Sequence, residues 1–170
     1  MTSFNVGTGT RIYDPVVILK ENHEIEIGKN CSIGQFTFIG ARKLVMKEGA
    51  EICPHVVLAG GGDITLGEYS TLCFGAKLIP ATETTEGKYM NDICEPDLRK
   101  IIRGSIMLGE GAYVGSNAVI CVSKKCPNIR IGNYAVVGAL SYLDHSIADH
   151  TVVHPAKQHH ISCRRMEYKK

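Results

Sequence analysis

The sequence predicts an all-β solenoid, a chain wound into a triangular tube with three short strands per turn. Three observations predict it. An aliphatic residue recurs every sixth position, the hexads arrive in triplets, and glycine is abundant where large aromatics are scarce. Eighteen glycines, no tryptophan and 6% aromatic residues leave the core to Val, Ile, Leu, Ala and other small side chains. A helix would space its apolar residues by about 3.6, and a half-buried strand by two. A period of six fits neither, and it fits a coil in which position-one side chains stack into an aliphatic column.

The elements follow in order. A degenerate first copy begins at Val6-Gly-Thr-Gly-Thr-Arg and Ile12. The second runs Ile27-Gly-Lys-Asn-Cys-Ser, Ile33-Gly-Gln-Phe-Thr-Phe and Ile39-Gly40. The third starts at Met46, with Ile52 and Leu58 after it, and the fourth at Leu66, Leu72 and Leu78. The fifth has Leu108, Val114 and Ile120, and the sixth Ile131, Val137 and Leu143. Position five is small or β-branched throughout (Cys31, Ala50, Ser70, Ala112, Ala135), as a bending wall requires. The register slips by one or two residues after the second and third copies, which a bulge at a corner absorbs.

Three stretches break the pattern. About a score of residues, roughly 84–105, lack it altogether, and a loop that long on a regular solenoid is usually functional. A smaller excursion covers Ser123-Lys-Lys-Cys-Pro-Asn128. The segment from about 149 to 170 is basic and polar, as a cap or ligand-clasping tail would be. The whole of 1–170 reads as a single domain.

Composition excludes several classes. Nineteen basic against seventeen acidic residues give a net charge of +2, too balanced for a nucleic-acid or membrane surface. No stretch approaches the roughly 20 apolar residues that span a bilayer, and no signal peptide is expected behind Met1-Thr2-Ser3. Seven cysteines form an odd set without a CxxC pair, which points to a reducing cytoplasm and thiols used as small apolar fillers. The close pair Cys121 and Cys126 has no matching second pair, so no metal is expected.

The hexads, the loop after Pro80-Ala-Thr-Glu83 and the closing run Ile131-Gly-Asn-Tyr-Ala-Val-Val-Gly-Ala-Leu-Ser141 with Pro155-Ala-Lys157 carry a resemblance. The chain resembles the left-handed β-helix, hexapeptide-repeat acyltransferases, among them galactoside, xenobiotic and nucleotide-sugar acetyltransferases. Val153 stands where many members have the glycine of Gly-x-Pro-Ala-Lys, and the loop residues Glu83-Thr-Thr-Glu-Gly87 and Met90-Asn91 match one sugar-modifying branch loosely.

The resemblance implies a homotrimer with its sites between neighbouring solenoids, and acetyl-CoA as the acyl donor. It places the pantetheine beside the turns at Gly115-Ser116 and Gly138-Ala139, and the nucleotide phosphates near Lys157, Arg164 and Arg165. Galactoside-type relatives carry a catalytic histidine where this chain has Thr82 or Glu83. Without that base an amine acceptor is favoured over a hydroxyl, because a neutral amine is already nucleophilic. The expected acceptor is therefore a nucleotide-linked amino sugar, with O-acetylation of a sugar hydroxyl as the alternative.

Glu83 is the first candidate for base or acceptor contact, His55 the second, and Tyr89, Asn91 and Asp92 are candidates for holding the sugar or its diphosphate. Two readings of another class stand beside these. One is a metalloenzyme like the γ-type carbonic anhydrases, on the spacing of His145 and His150; the other is a non-catalytic scaffold subunit.

Overall fold

The computed structural model describes residues 3–19 and 23–155. Lys157, Arg164 and Arg165, expected at the coenzyme phosphates, lie outside the described residues.

Three parallel walls enclose a single apolar column. The first wall stacks the four-residue strands Ser3–Val6, Glu24–Ile27, Lys43–Met46, Asp63–Leu66, Ser105–Leu108 and Asn128–Ile131. The second runs from Arg11–Ile12 through Ser32–Ile33, Glu51–Ile52, Thr71–Leu72, Tyr113–Val114 and Val136–Val137 to Val152–Val153. The third comprises Val17–Ile18, Phe38–Ile39, Val57–Leu58, Lys77–Ile79, Val119–Cys121 and Tyr142–Leu143. Among the described residues this makes six coils and the start of a seventh, which Ile147 opens by bridging to Ile131.

The register is the one the hexads predict. Ile27 aligns with Met46, Leu66, Leu108 and Ile131 down the first wall. Ile33, Ile52, Leu72, Val114 and Val137 align down the second. These side chains are at most 2% exposed, and so are the position-five residues Cys31, Ala50, Ser70, Ala112 and Ala135. Burying one Ile or Leu fully is worth roughly 1.5–3 kcal/mol, so the column is the main source of stability.

Position two is usually glycine for a steric reason. A Cβ on Gly67 would lie 2.5 Å from the backbone of Gly109 in the next coil. Position four takes the left-handed conformation at both regular corners. Asn30, Tyr69 and Tyr134 do so between the first and second walls, and Phe36, His55, Asn117 and Leu140 between the second and third.

Every irregularity falls at the third corner, where the third wall returns to the first. Both register slips, the long loop and the Ser123–Asn128 excursion all occur there. The loop is not irregular at its base. Ala81–Glu83 and Ile101–Arg103 pair antiparallel, Thr82 opposite Ile102, as a ribbon that lifts residues 84–100 off the solenoid. The expected boundary of 84–105 therefore overreaches, since Ile101–Arg103 is strand and Ser105 already belongs to the first wall.

The filler reading of the cysteines holds for Cys31, which is 2% exposed. It fails for Cys53, Cys73, Cys94, Cys121 and Cys126, all of which are only partly buried. These five stand at turns, wall ends or in the loop rather than in the inward-facing column.

Candidate functional site

The ribbon and the third corner enclose a cleft of about 500 Å³, lined by Gly60, Thr82, Glu83, Asn91, Asp92 and Arg103 together with apolar loop residues. Three of the sequence candidates, Glu83, Asn91 and Asp92, thus meet on one cleft. The preceding coil can come this close because Gly60, at φ +104°, has no side chain; a Cβ there would lie 2.3 Å from the Ala81 carbonyl oxygen.

Glu83 is held from the loop side. Arg99 donates from Nε to Oε1 at 2.7 Å and from a terminal nitrogen to the same oxygen. Both side chains are more than four-fifths buried. The hydrogen bond to Glu83 raises the Arg99 guanidinium above its ordinary value against the opposing effect of burial, and the Asp92 carboxylate adds to the rise. Glu83 Oε2 is buried and has no hydrogen-bond partner. An unpaired buried acceptor costs about 1–3 kcal/mol, so the carboxylate holds one acceptor in reserve beside the cleft.

A second cleft of about 400 Å³ adjoins the first and shares Arg103 with it. Its walls include Arg42 and Asp63, which form an ion pair at 2.6 Å. Arg103 makes only long contacts, 3.4 Å to each of the Gly60 and Gly61 carbonyls, so its charge is directed at both clefts without a carboxylate partner in contact. Arg42, Arg99 and Arg103 were not singled out from the sequence. The signal was there in the density of basic residues at Arg99, Lys100 and Arg103, and in the placement of Arg42 at the first register slip.

The other candidates are dispersed. His55 is not on the second wall but at the corner after it, with φ +63° and its ring stacked on Phe36 at 5.0 Å. It stands at the opposite end of the Val57–Leu58 strand from Gly60, and the fold does not bring it into the cleft. Tyr89 sits outside the cleft lining under Lys88, whose ammonium lies 5.3 Å from the ring centre. Asn91 shapes the loop itself, its Oδ1 accepting from the Ile93 amide at 2.9 Å.

Gly115, Ser116, Gly138 and Ala139 do come together, on successive coils at the corner between the second and third walls. There the Leu140 amide donates to the Ser116 carbonyl at 2.9 Å. Two of the four amides are already used: Gly115 N–H donates to Val137 at 2.7 Å and Gly138 N–H to Val153 at 2.8 Å. The donors left for a ligand at this corner are the amides of Ser116 and Ala139.

His145 and His150 stand at different corners. His145 pairs with Asp144 at 3.1 Å, and His150 stacks on Tyr134 at 5.4 Å. Among the described residues no three His, Cys, Asp or Glu side chains gather as a metal site would need.

With this geometry in place, comparison with known proteins is informative. The solved structure of AntD, an N-acyltransferase from Bacillus cereus in complex with dTDP-4-amino-4,6-dideoxyglucose and coenzyme A, superposes with a TM-score of 0.77. The match is 23% identical and covers 86% of this chain and 76% of AntD. The chain has the left-handed β-helix fold of the hexapeptide-repeat acyltransferases. A dTDP-4-amino-4,6-dideoxy-D-glucose acyltransferase from Escherichia coli is 22% identical over 151 residues, 87% of this chain and 76% of that protein. The bifunctional protein GlmU of Pseudoalteromonas atlantica is 29% identical over 147 residues but is matched over only 28% of its length. No family model matches the chain.

Proposed function

We propose that the chain is a coenzyme A-dependent N-acyltransferase acting on the amine of a nucleotide-linked amino sugar. The observation that carries this reading is the loop cleft itself. It combines a buried carboxylate oxygen lacking a donor, Glu83 Oε2, with the uncompensated guanidinium of Arg103. An amino sugar on a diphosphate offers the complement to both: N–H donors for the carboxylate and anionic oxygens for the guanidinium. The similarity to AntD and to the Escherichia coli enzyme supports the same acceptor class and a coenzyme A thioester as donor.

In this reading Glu83 accepts a hydrogen bond from the attacking amine and takes the proton released as the C–N bond forms. The thioester C–S bond breaks and coenzyme A leaves as a thiol. Arg99 positions Glu83, and Arg103 holds phosphate. The Ser116 and Ala139 amides fit the amide groups of an extended pantetheine. Lys157 and Arg164 remain proposals for the nucleotide end.

The coenzyme corner and the acceptor cleft lie at opposite ends of the third-wall strand Val119–Cys121. A site using both is completed when one copy sets its second-to-third corner against the loop of a neighbour. That favours a closed homotrimer with three equivalent clefts. A cytoplasmic location is part of the same proposal, since coenzyme A thioesters and free thiols belong together there.

The test is thiol release from acetyl-CoA against a panel of dTDP- and UDP-linked amino sugars and simple galactosides. Turnover well above background hydrolysis is expected with at least one amino sugar. Turnover with hydroxyl acceptors alone overturns the reading.

A further inference from the structure

A second cluster of reactive groups lies outside the acceptor cleft. Position two at the second-to-third corner is Gly34, Cys53, Cys73, Gly115 and Gly138 in successive coils. Two neighbouring coils thus place a thiol where the flanking coils have no side chain. The alignment is fixed by the ladder: Cys53 N–H donates to Leu72 at 2.8 Å, and Cys73 N–H donates to Val114 at 2.8 Å. Adjacent strands lie about 4.7–4.9 Å apart, and a disulfide needs a Cα separation of about 4.4–6.8 Å. The two cysteines are therefore spaced for a bond across coils.

Their surroundings differ in the way a redox pair requires. The Tyr113 hydroxyl donates to Cys73 Sγ at 3.1 Å. Burial opposes ionisation of Cys73, but hydrogen bonds from Ser116, Tyr113, the Phe74 backbone and Cys53 outweigh it and hold the thiol below its ordinary value. Cys53 is pushed up to about 11 by burial, with the Glu51 charge and the Cys73 sulfur adding to the effect. Access is open, since both thiols are partly exposed and Cys53 borders a cleft of about 300 Å³ shared with Tyr13, Gln35 and Pro54.

We propose that Cys53 and Cys73 form a peroxide-oxidisable thiol pair, in which Cys73 reacts first and Cys53 resolves it. The Cys73 thiolate attacks one oxygen of a hydroperoxide, the O–O bond breaks, and the products are Cys73 sulfenic acid and an alkoxide or hydroxide. The Cys53 sulfur then displaces the sulfenic oxygen, which leaves as water with the Cys53 proton, and a disulfide joins the third coil to the fourth.

The experiment exposes the full chain to stoichiometric hydrogen peroxide, followed by non-reducing peptide mapping. The expected product is a Cys53–Cys73 cross-linked peptide, two hydrogens lighter than the pair and reversed by dithiothreitol. A sulfenic-acid probe is expected to label Cys73 in Cys53→Ser and to leave Cys53 unlabelled in Cys73→Ser. Tyr113→Phe is expected to slow the oxidation about fivefold, the worth of one hydrogen bond. Absence of the 53–73 link in the wild-type chain while other thiols oxidise overturns the pair. Preferential labelling of Cys53 overturns the assigned order. The wild-type map stands whether or not the serine variants fold.

Discussion

Leu78 faces inward on the third wall with no exposed surface, between Leu58 and Ile120 of the adjoining coils. Truncating it leaves a void that neither neighbour can fill without leaving register. Leu78→Ala is expected to cost about 2–5 kcal/mol in denaturant titration, and Lys77→Ala, on the same strand but facing out, far less. Asp149 illustrates the polar side of the same scale. Its carboxyl is held below the ordinary value, first by the Asn133 backbone N–H and then by the Arg130 charge, with burial opposing. A depressed native value means the contribution is present at neutral pH and is lost as the pH falls through that value. Asp149→Asn is expected to flatten the acid limb of the stability profile and leave the alkaline limb unchanged. At this scale the sequence was legible wherever sterics dominate, as in the inward position-one residues. It was illegible where geometry decides, because nothing in its spacing separates His55 at a left-handed corner from a histidine in a site.

At the scale of elements, the loop is a folded flap rather than a slack insertion. Its antiparallel stem, the Glu83–Arg99 pair, and the ion pair between Lys124 of the short excursion and Glu86 fasten it to the third corner. Arg99→Ala removes the first clamp and leaves the whole Glu83 carboxylate unpaired. Limited proteolysis is expected to cut the 84–100 segment faster in that variant while the solenoid stays intact, and amine acylation is expected to drop at least tenfold. Glu83→Gln keeps the shape, so it is expected to lose turnover with less effect on cleavage, which separates chemistry from scaffolding. The insertion was evident in the sequence as an interruption of the hexads. Its stem was not, since Ile101 and Ile102 look like a resumption of the repeat and only the cross-ribbon pairing to Thr82 and Glu83 reveals their role.

For the whole molecule, stability is close to a sum over coils and their interfaces. The first coil has no predecessor, and its strand Ser3–Val6 is exposed along its whole length. Amide exchange is expected to be fastest there and slowest in the coils carrying Leu44, Leu66 and Leu108, in graded order rather than as one block. Uniform exchange along the solenoid counts against that picture. Light scattering of the purified chain is expected to give three times the 18.5 kDa chain mass; a monomer that retains full turnover removes the need for a shared cleft. The architecture was legible in full from the hexads, because each repeat must solve the same packing problem. The way copies associate was not, because outward-facing residues obey no such repetition.

Confining every departure from the hexad to one corner has an evolutionary consequence. Lengthening the chain between Gly60 and Gly62 or between Ala81 and Arg103 leaves each coil's downstream register untouched. One extra residue between Leu66 and Leu72 would turn the inward side chains after it toward water. The molecule therefore has two edges frozen by arithmetic and a third free to drift. New acceptor specificities can be acquired along that third edge while the column that keeps the protein folded goes on unchanged.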